Sequence, residues 1–196
     1  VTRDAHHCNP TTTAQMHQAG GQYVIQVKEN QPLLLTQCQS VAAAAVPLGS
    51  HDACEKSHGR LTTREGQCFD MRAVSLAPRW SDSGRHTLVV MTRHTVTLAT
   101  QKTTCETAYD ISNQALSTDP HAQAMALTGA IRQHWHVESD HWMRDVTLHE
   151  DHIKTTSANQ AQITGCLRSL AMRLLRRFNV KNFQEALEDF ADCPSR

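Results

Sequence analysis

The spacing of apolar positions changes along this chain, and each change marks a different kind of element. Asn9-Pro10-Thr11-Thr12-Thr13 is a helix-start signal, and the short helix it opens stops at Gly20-Gly21. Gln22 to Lys28 mixes β-branched and aromatic residues with polar ones, which predicts a strand. Asn30-Gln31-Pro32 breaks it and opens a second helix, Leu33 to roughly Ala45, ended near Pro47 and Gly49. Helix, strand and helix in succession are one slice of an α/β layer.

From about Ser50 to Ser112 threonine, arginine and valine dominate, with turn residues at Gly59, Gly66, Pro78 and Gly84. The pattern predicts strands near 60–69, 71–76, 87–98 and 104–111 in an antiparallel β segment, and Thr87–Met91 is the clearest of them. Asp119-Pro120 then pairs an N-cap with a proline in the first turn, opening a long helix that runs through 131–151. A further helix spans Ala158 to Phe178, with Ile163, Leu167, Leu170, Ala171, Leu174, Leu175 and Phe178 within one arc. That arc predicts packing, and Arg173 and Arg176 opposite it predict a solvated face. A short acidic helix from Asn182 to Ala191 follows. The organisation expected is a core slice over 1–49, a β-rich insertion over 50–113, and helices over 114–196.

Composition narrows the class of protein. With 19 Lys+Arg against 19 Asp+Glu, no global field draws the chain to a polyanion. The charge is uneven, however. Between Glu55 and Lys102 stand eight basic residues and four acids, and between Asp119 and Asp151 six acids and two arginines. An acidic patch beside a basic one suits a cation site facing a polyanion. The seven cysteines include no CxxC pair, which fits free thiols in a reducing compartment. No apolar run reaches the ~20 residues a membrane span needs, and the N-terminus lacks the signature of a signal peptide. The expected location is cytoplasmic. Val1 begins in mid-pattern, like the continuation of something longer.

The densest chemistry lies in Ile131–Asp151. At about 100° per residue, His134, Glu138, His141 and Asp145 share one stripe of one helix, with Trp135 and Trp142 together on the next. One reading is an ordinary solvated face. Another is a ligand stripe whose polar side is held toward a site by buried tryptophans. A third takes His134, Glu138 and His141 as transition-metal ligands, since zinc prefers nitrogen donors.

Blocks spread along the chain resemble the DDE transposases of bacterial insertion sequences, in the ISAs1 (H-repeat-associated) branch of the IS4-like group. Val1-Thr2-Arg3-Asp4-Ala5, with Cys8 after it, resembles the block around the second catalytic aspartate. Gly20-Gly21-Gln22-Tyr23, then Val27-Lys28-Glu29-Asn30-Gln31-Pro32, resembles a second block. His58-Gly59-Arg60 with Thr63-Arg64, and Glu106-Thr107 with Tyr109 and Ile111-Ser112, resemble two more. His134-Trp135 with Glu138, then His141-Trp142, Asp145-Val146 and Glu150-Asp151, resembles the catalytic-glutamate block.

The resemblance implies an RNase H-like catalytic core, incomplete at its N-terminus, with an antiparallel β insertion and C-terminal helices. It implies metal-dependent cleavage and joining of DNA strands at insertion-sequence ends. Asp4 and Glu138 would be the second and third acids and ligands of Mg²⁺ or Mn²⁺ in a two-metal site, because hard cations take carboxylate oxygens. The first aspartate would lie upstream of Val1. His134, His141 and Asp145 would be accessory, and Lys28, Asn30, Arg60 and Arg64 would contact phosphates. Double-stranded DNA is the implied partner, a homodimer the implied assembly. A remnant that keeps the fold and DNA binding without chemistry is the alternative.

Overall fold

Local signals set most element boundaries. The computed structural model describes residues 1–72, 74, 77–115, 117–142, 146, 157–178, 180 and 183–192, and only the backbone of 135–142, 158 and 191. Strand β1 (Thr2–Arg3) leads through a 3₁₀ turn (Ala5–His7) into α1 (Pro10–Gln18). The side chain of Asn9 caps α1 by accepting from Thr12 N at 2.8 Å. Then come β2 (Val24–Val27), α2 (Pro32–Ala44), β3 (Gly49–Ser57) and β4 (Arg60–Asp70). A second 3₁₀ stretch (Pro78–Ser83) precedes β5 (Thr87–Thr97), β6 (Thr103–Ser112) and α3 (Pro120–Trp142). Asp119 caps α3 by accepting from Ala122 N at 3.0 Å. Helices α4 (Ala158–Arg177) and α5 (Phe183–Asp192) follow.

The strands form one six-stranded sheet in the order β1-β2-β6-β5-β4-β3. β1 and β2 are parallel, as a connection through a helix permits, and every other pair is antiparallel. The β3–β4 hairpin closes on His58 and Gly59, both at positive φ (47° and 70°), the geometry a tight two-residue hairpin turn requires. β6 pairs directly with β2, so the β-rich segment continues the sheet of the first fifty residues.

Period-two alternation sends side chains to two faces. One face buries Tyr23, Ile25, Val27, Phe69, Leu88, Val90 and Ile111 with Leu34 and Cys38 of α2 and with Trp80. The other buries Val24, Cys68 and Val89 under Ala124, Leu127 and Ile131 of α3. A sheet with helices on both faces is the α/β architecture expected.

Two expectations are corrected. Among the described residues of 71–76, none is strand. The chain leaves the sheet after Asp70, whose carboxylate accepts from the backbone N–H and guanidinium of Arg72. The fourth strand of the meander is instead β3, whose polar sequence carries no strand signal; its pairing with β4 makes it one.

The chain forms two compact units, Val1–His134 and Trp135–Arg196. In the second, Ser157 caps α4, and Met172 and Leu175 are buried. The rest of the predicted packing arc differs from expectation: Ile163, Leu167, Leu170, Leu174 and Phe178 are exposed. Among the described residues, no helix is long and apolar enough to cross a membrane.

Candidate functional site

Asp4 follows β1 in extended backbone and caps the 3₁₀ turn that comes next. Its Oδ1 accepts from Ala5 N at 2.6 Å and lies 3.8 Å from Lys28 Nζ. The Asp4 side chain is 57% exposed, so one carboxylate oxygen is anchored while the group still faces solvent. The loop beneath it is held from the β2–α2 connection. Asn30 Nδ2 donates to Ala5 O at 2.7 Å, and Gln31 Nε2 donates to Cys8 O at 3.0 Å. The Asn-Gln-Pro segment thus fastens the backbone on which Asp4 sits. Asn30, expected to meet phosphate, spends its carboxamide N–H on this tie.

Asp4 does not stand alone on its face of the sheet. Continuing the β1–β2 register by one residue sets it beside Gln26, and Gln26 is the cross-strand partner of Asp110 on β6. Asp110 in turn pairs with Val89, which packs under α3. Asp4, Gln26 and Asp110 therefore form one row on the α3 face. Asp110 is only 5% exposed, and its Oδ2 has no hydrogen-bond partner among the described residues. Burial pushes its carboxyl up to about 7, against a smaller downward pull from the charge of Lys28. One ammonium group thus acts on both carboxylates of the row.

His134 belongs to the same face. Its Nδ1 lies 3.3 Å from Thr2 Oγ1, so α3 is tied to β1 two residues before Asp4. Glu138 and His141 are on α3, one and two turns beyond His134, and their side chains lie outside the described residues, as does all of Asp145. The structure therefore brings together Asp4, Lys28, Asn30 and His134 of the predicted residues, in the first unit.

Arg60 and Arg64 sit elsewhere, on the long strands away from Asp4. Arg60 is exposed where β4 leaves the His58-Gly59 turn. Arg64 Nη1 lies 3.3 Å from Glu55 Oε2, which Arg132 of α3 also contacts at 2.6 Å. An arginine already facing a carboxylate is a weaker phosphate ligand than a free one. Cys8 and Cys38 are buried, and desolvation, with the nearby charge of Asp110 as a smaller cause for Cys8, pushes each thiol up to about 12. They are inert core residues.

Asp110 has no part in the residues that carry the sequence resemblance. No signal in the sequence marks it: between Tyr109 and Ile111 a polar residue occupies the solvent-facing position of an alternating strand, and only the packing of α3 over that face buries it. The donor set of the row is all oxygen, two carboxylates and a carboxamide, and includes a buried oxygen without a partner. That chemistry fits a hard divalent cation. Among the described residues, no group of three or more His, Cys, Asp or Glu side chains could hold a metal.

Comparison with known proteins gives distant relatives. The chain is 28% identical to the "Putative protein YbfL" of Escherichia coli (strain K12), over 95% of this chain and 49% of the relative. It is equally similar, with the same coverage, to the "H repeat-associated putative transposase YhhI" of the same organism. The chain thus spans about half the length of the curated relatives it matches. No protein-family profile matches it. No solved structure matches it.

Proposed function

We propose that this chain is transposase machinery of the DDE kind, built on an RNase H-like sheet and acting on double-stranded DNA at the ends of an insertion sequence. The observation that carries the reading is Asp4. It is an anchored, solvent-facing carboxylate at the end of a parallel strand, in a chain related to a protein named a transposase.

In this reading Asp4 and Glu138 hold Mg²⁺ or Mn²⁺. Mg²⁺ or Mn²⁺ held there would supply Lewis-acid activation of the phosphodiester. The chain's own residues do the rest. Ala5 N anchors the Asp4 carboxylate, and Asn30 and Gln31 stiffen the loop that carries it. His134 ties α3 to β1 through Thr2. Lys28 carries the positive charge nearest Asp4 and neutralises an incoming phosphate. Arg60, free on the exposed strand end, adds a phosphate contact farther along the duplex.

The test is Mn²⁺-dependent nicking of DNA carrying the element's ends. It compares the chain alone with the chain supplied with the half of its relatives that it does not match. Asp4→Asn and Glu138→Gln should each lower nicking at least 100-fold. Undiminished nicking by Glu138→Gln would overturn the assignment. End-binding without nicking under every condition would leave a DNA-binding protein without the chemistry.

A further inference from the structure

We propose that Gln26 and Asp110 extend the Asp4 site inward, so that the row Asp4–Gln26–Asp110 is a divalent-cation site under α3. The inference rests on the reading above, in which Asp4 is a metal ligand, and adds two ligands that the sequence resemblance does not include.

Three observations carry it. First, the register pairs Gln26 with Asp110, and the β1–β2 register continued one residue past Arg3 sets Asp4 beside Gln26 on the same face. Strands lie about 4.8 Å apart, so Asp4 and Asp110 are roughly 10 Å apart at Cα. Two aspartate side chains inclined toward each other, with metal–oxygen bonds of roughly 2.1 Å or one bridging water, close that span, and Gln26 lies between them. Second, among the described residues the buried Oδ2 of Asp110 has no partner and the Gln26 carboxamide makes no hydrogen bond. A buried carboxylate in this state either keeps its proton or takes a cation, because desolvating an unpaired charge is costly. Third, Lys28 already supplies positive charge to this place, 3.8 Å from Asp4. A cation entering the row takes over that role and releases Lys28. His134, held to Thr2, closes the same face from α3.

The site suits Mg²⁺ or Mn²⁺ better than a transition metal that prefers nitrogen or sulfur, because every donor is oxygen. Direct Mn²⁺ binding to the full chain, followed by electron paramagnetic resonance at pH 8, is the experiment. Asp110→Asn and Asp4→Asn should each weaken binding at least tenfold. Gln26→Glu should tighten it several-fold, and Lys28→Met should tighten it by removing the competing charge. Asparagine matches aspartate in shape and removes a buried charge, so folding of Asp110→Asn is checked by circular dichroism alongside. Gln26→Glu supplies an arm that does not depend on that variant.

Wild-type affinity in Asp110→Asn, with binding lost in Asp4→Asn, would overturn the inference and leave the metal role of Asp4 standing. Absence of binding by the wild type, or no gain from Gln26→Glu, would also overturn it. Failure of the transposase reading is seen separately, in undiminished nicking by Glu138→Gln.

Discussion

At the scale of single residues, side chains of the same polarity take different partners, and the partner is set by the fold. Asp4 follows the short strand β1 and Lys28 follows β2, and the two side chains lie 3.8 Å apart. Asn30 and Gln31 have the same polarity, yet their amides hold the carbonyls of Ala5 and Cys8. Whether a carboxamide binds a ligand or a loop depends on what the fold sets against it. Asp110 was not legible, because an aspartate in a strand reads as a solvent-facing position until the neighbouring strands and α3 are in place. Its effect on stability has a definite sign. The carboxyl titrates near 3.8 when unfolded and near 7 when folded, so between those values the folded state holds the extra proton. Stability therefore falls as pH rises from about 4 to about 7, by about 4 kcal/mol in all. Asp110→Asn should remove that loss. Urea unfolding in the presence of a chelator should show the variant gaining about 2–4 kcal/mol on the wild type at pH 8 relative to pH 4.5. A constant difference across that range would contradict the burial argument.

At the scale of elements, caps and prolines made helix starts readable from a few residues, as at Asn9-Pro10 and Asp119-Pro120. Strand β3 escaped because a polar strand at the sheet edge is made by its neighbour, whereas the expected strand at 71–76 failed where Asp70 and Arg72 turn the chain out. How α3 packs is decided by a glycine. A Cβ on Gly66 of β4 would collide with Cγ2 of Thr128, so the absence of a side chain there lets the helix come down onto the sheet. Gly66→Ala should cost about 2 kcal/mol through overpacking. Adding Thr128→Ser, which deletes that methyl group and keeps the hydroxyl bond to Ala124 O, should recover at least half of it. Equal unfolding midpoints for Gly66→Ala and wild type would show that the helix shifts without cost. Because α3 also carries the His134 contact to Thr2, the single variant should weaken Mn²⁺ binding as well.

At the scale of the whole molecule, both buried clusters of the sheet draw their members from residues 8–131, within the first unit. A chain of residues 1–142 should therefore unfold cooperatively, as followed by urea titration. Non-cooperative melting would show that the sheet unit depends on residues beyond 142. The sequence by itself determined the α/β class, the helix starts and most of the elements, because periodicity and capping act over a few residues. It also determined the resemblance to transposases, since that rests on residue types in order. The tertiary structure alone decided that the β-rich segment continues the first sheet, that Arg64 faces Glu55, and that Asp110 shares a row with Asp4. Each depends on strand register, which joins residues far apart in the chain; one step of slip would turn Asp110 to the opposite face.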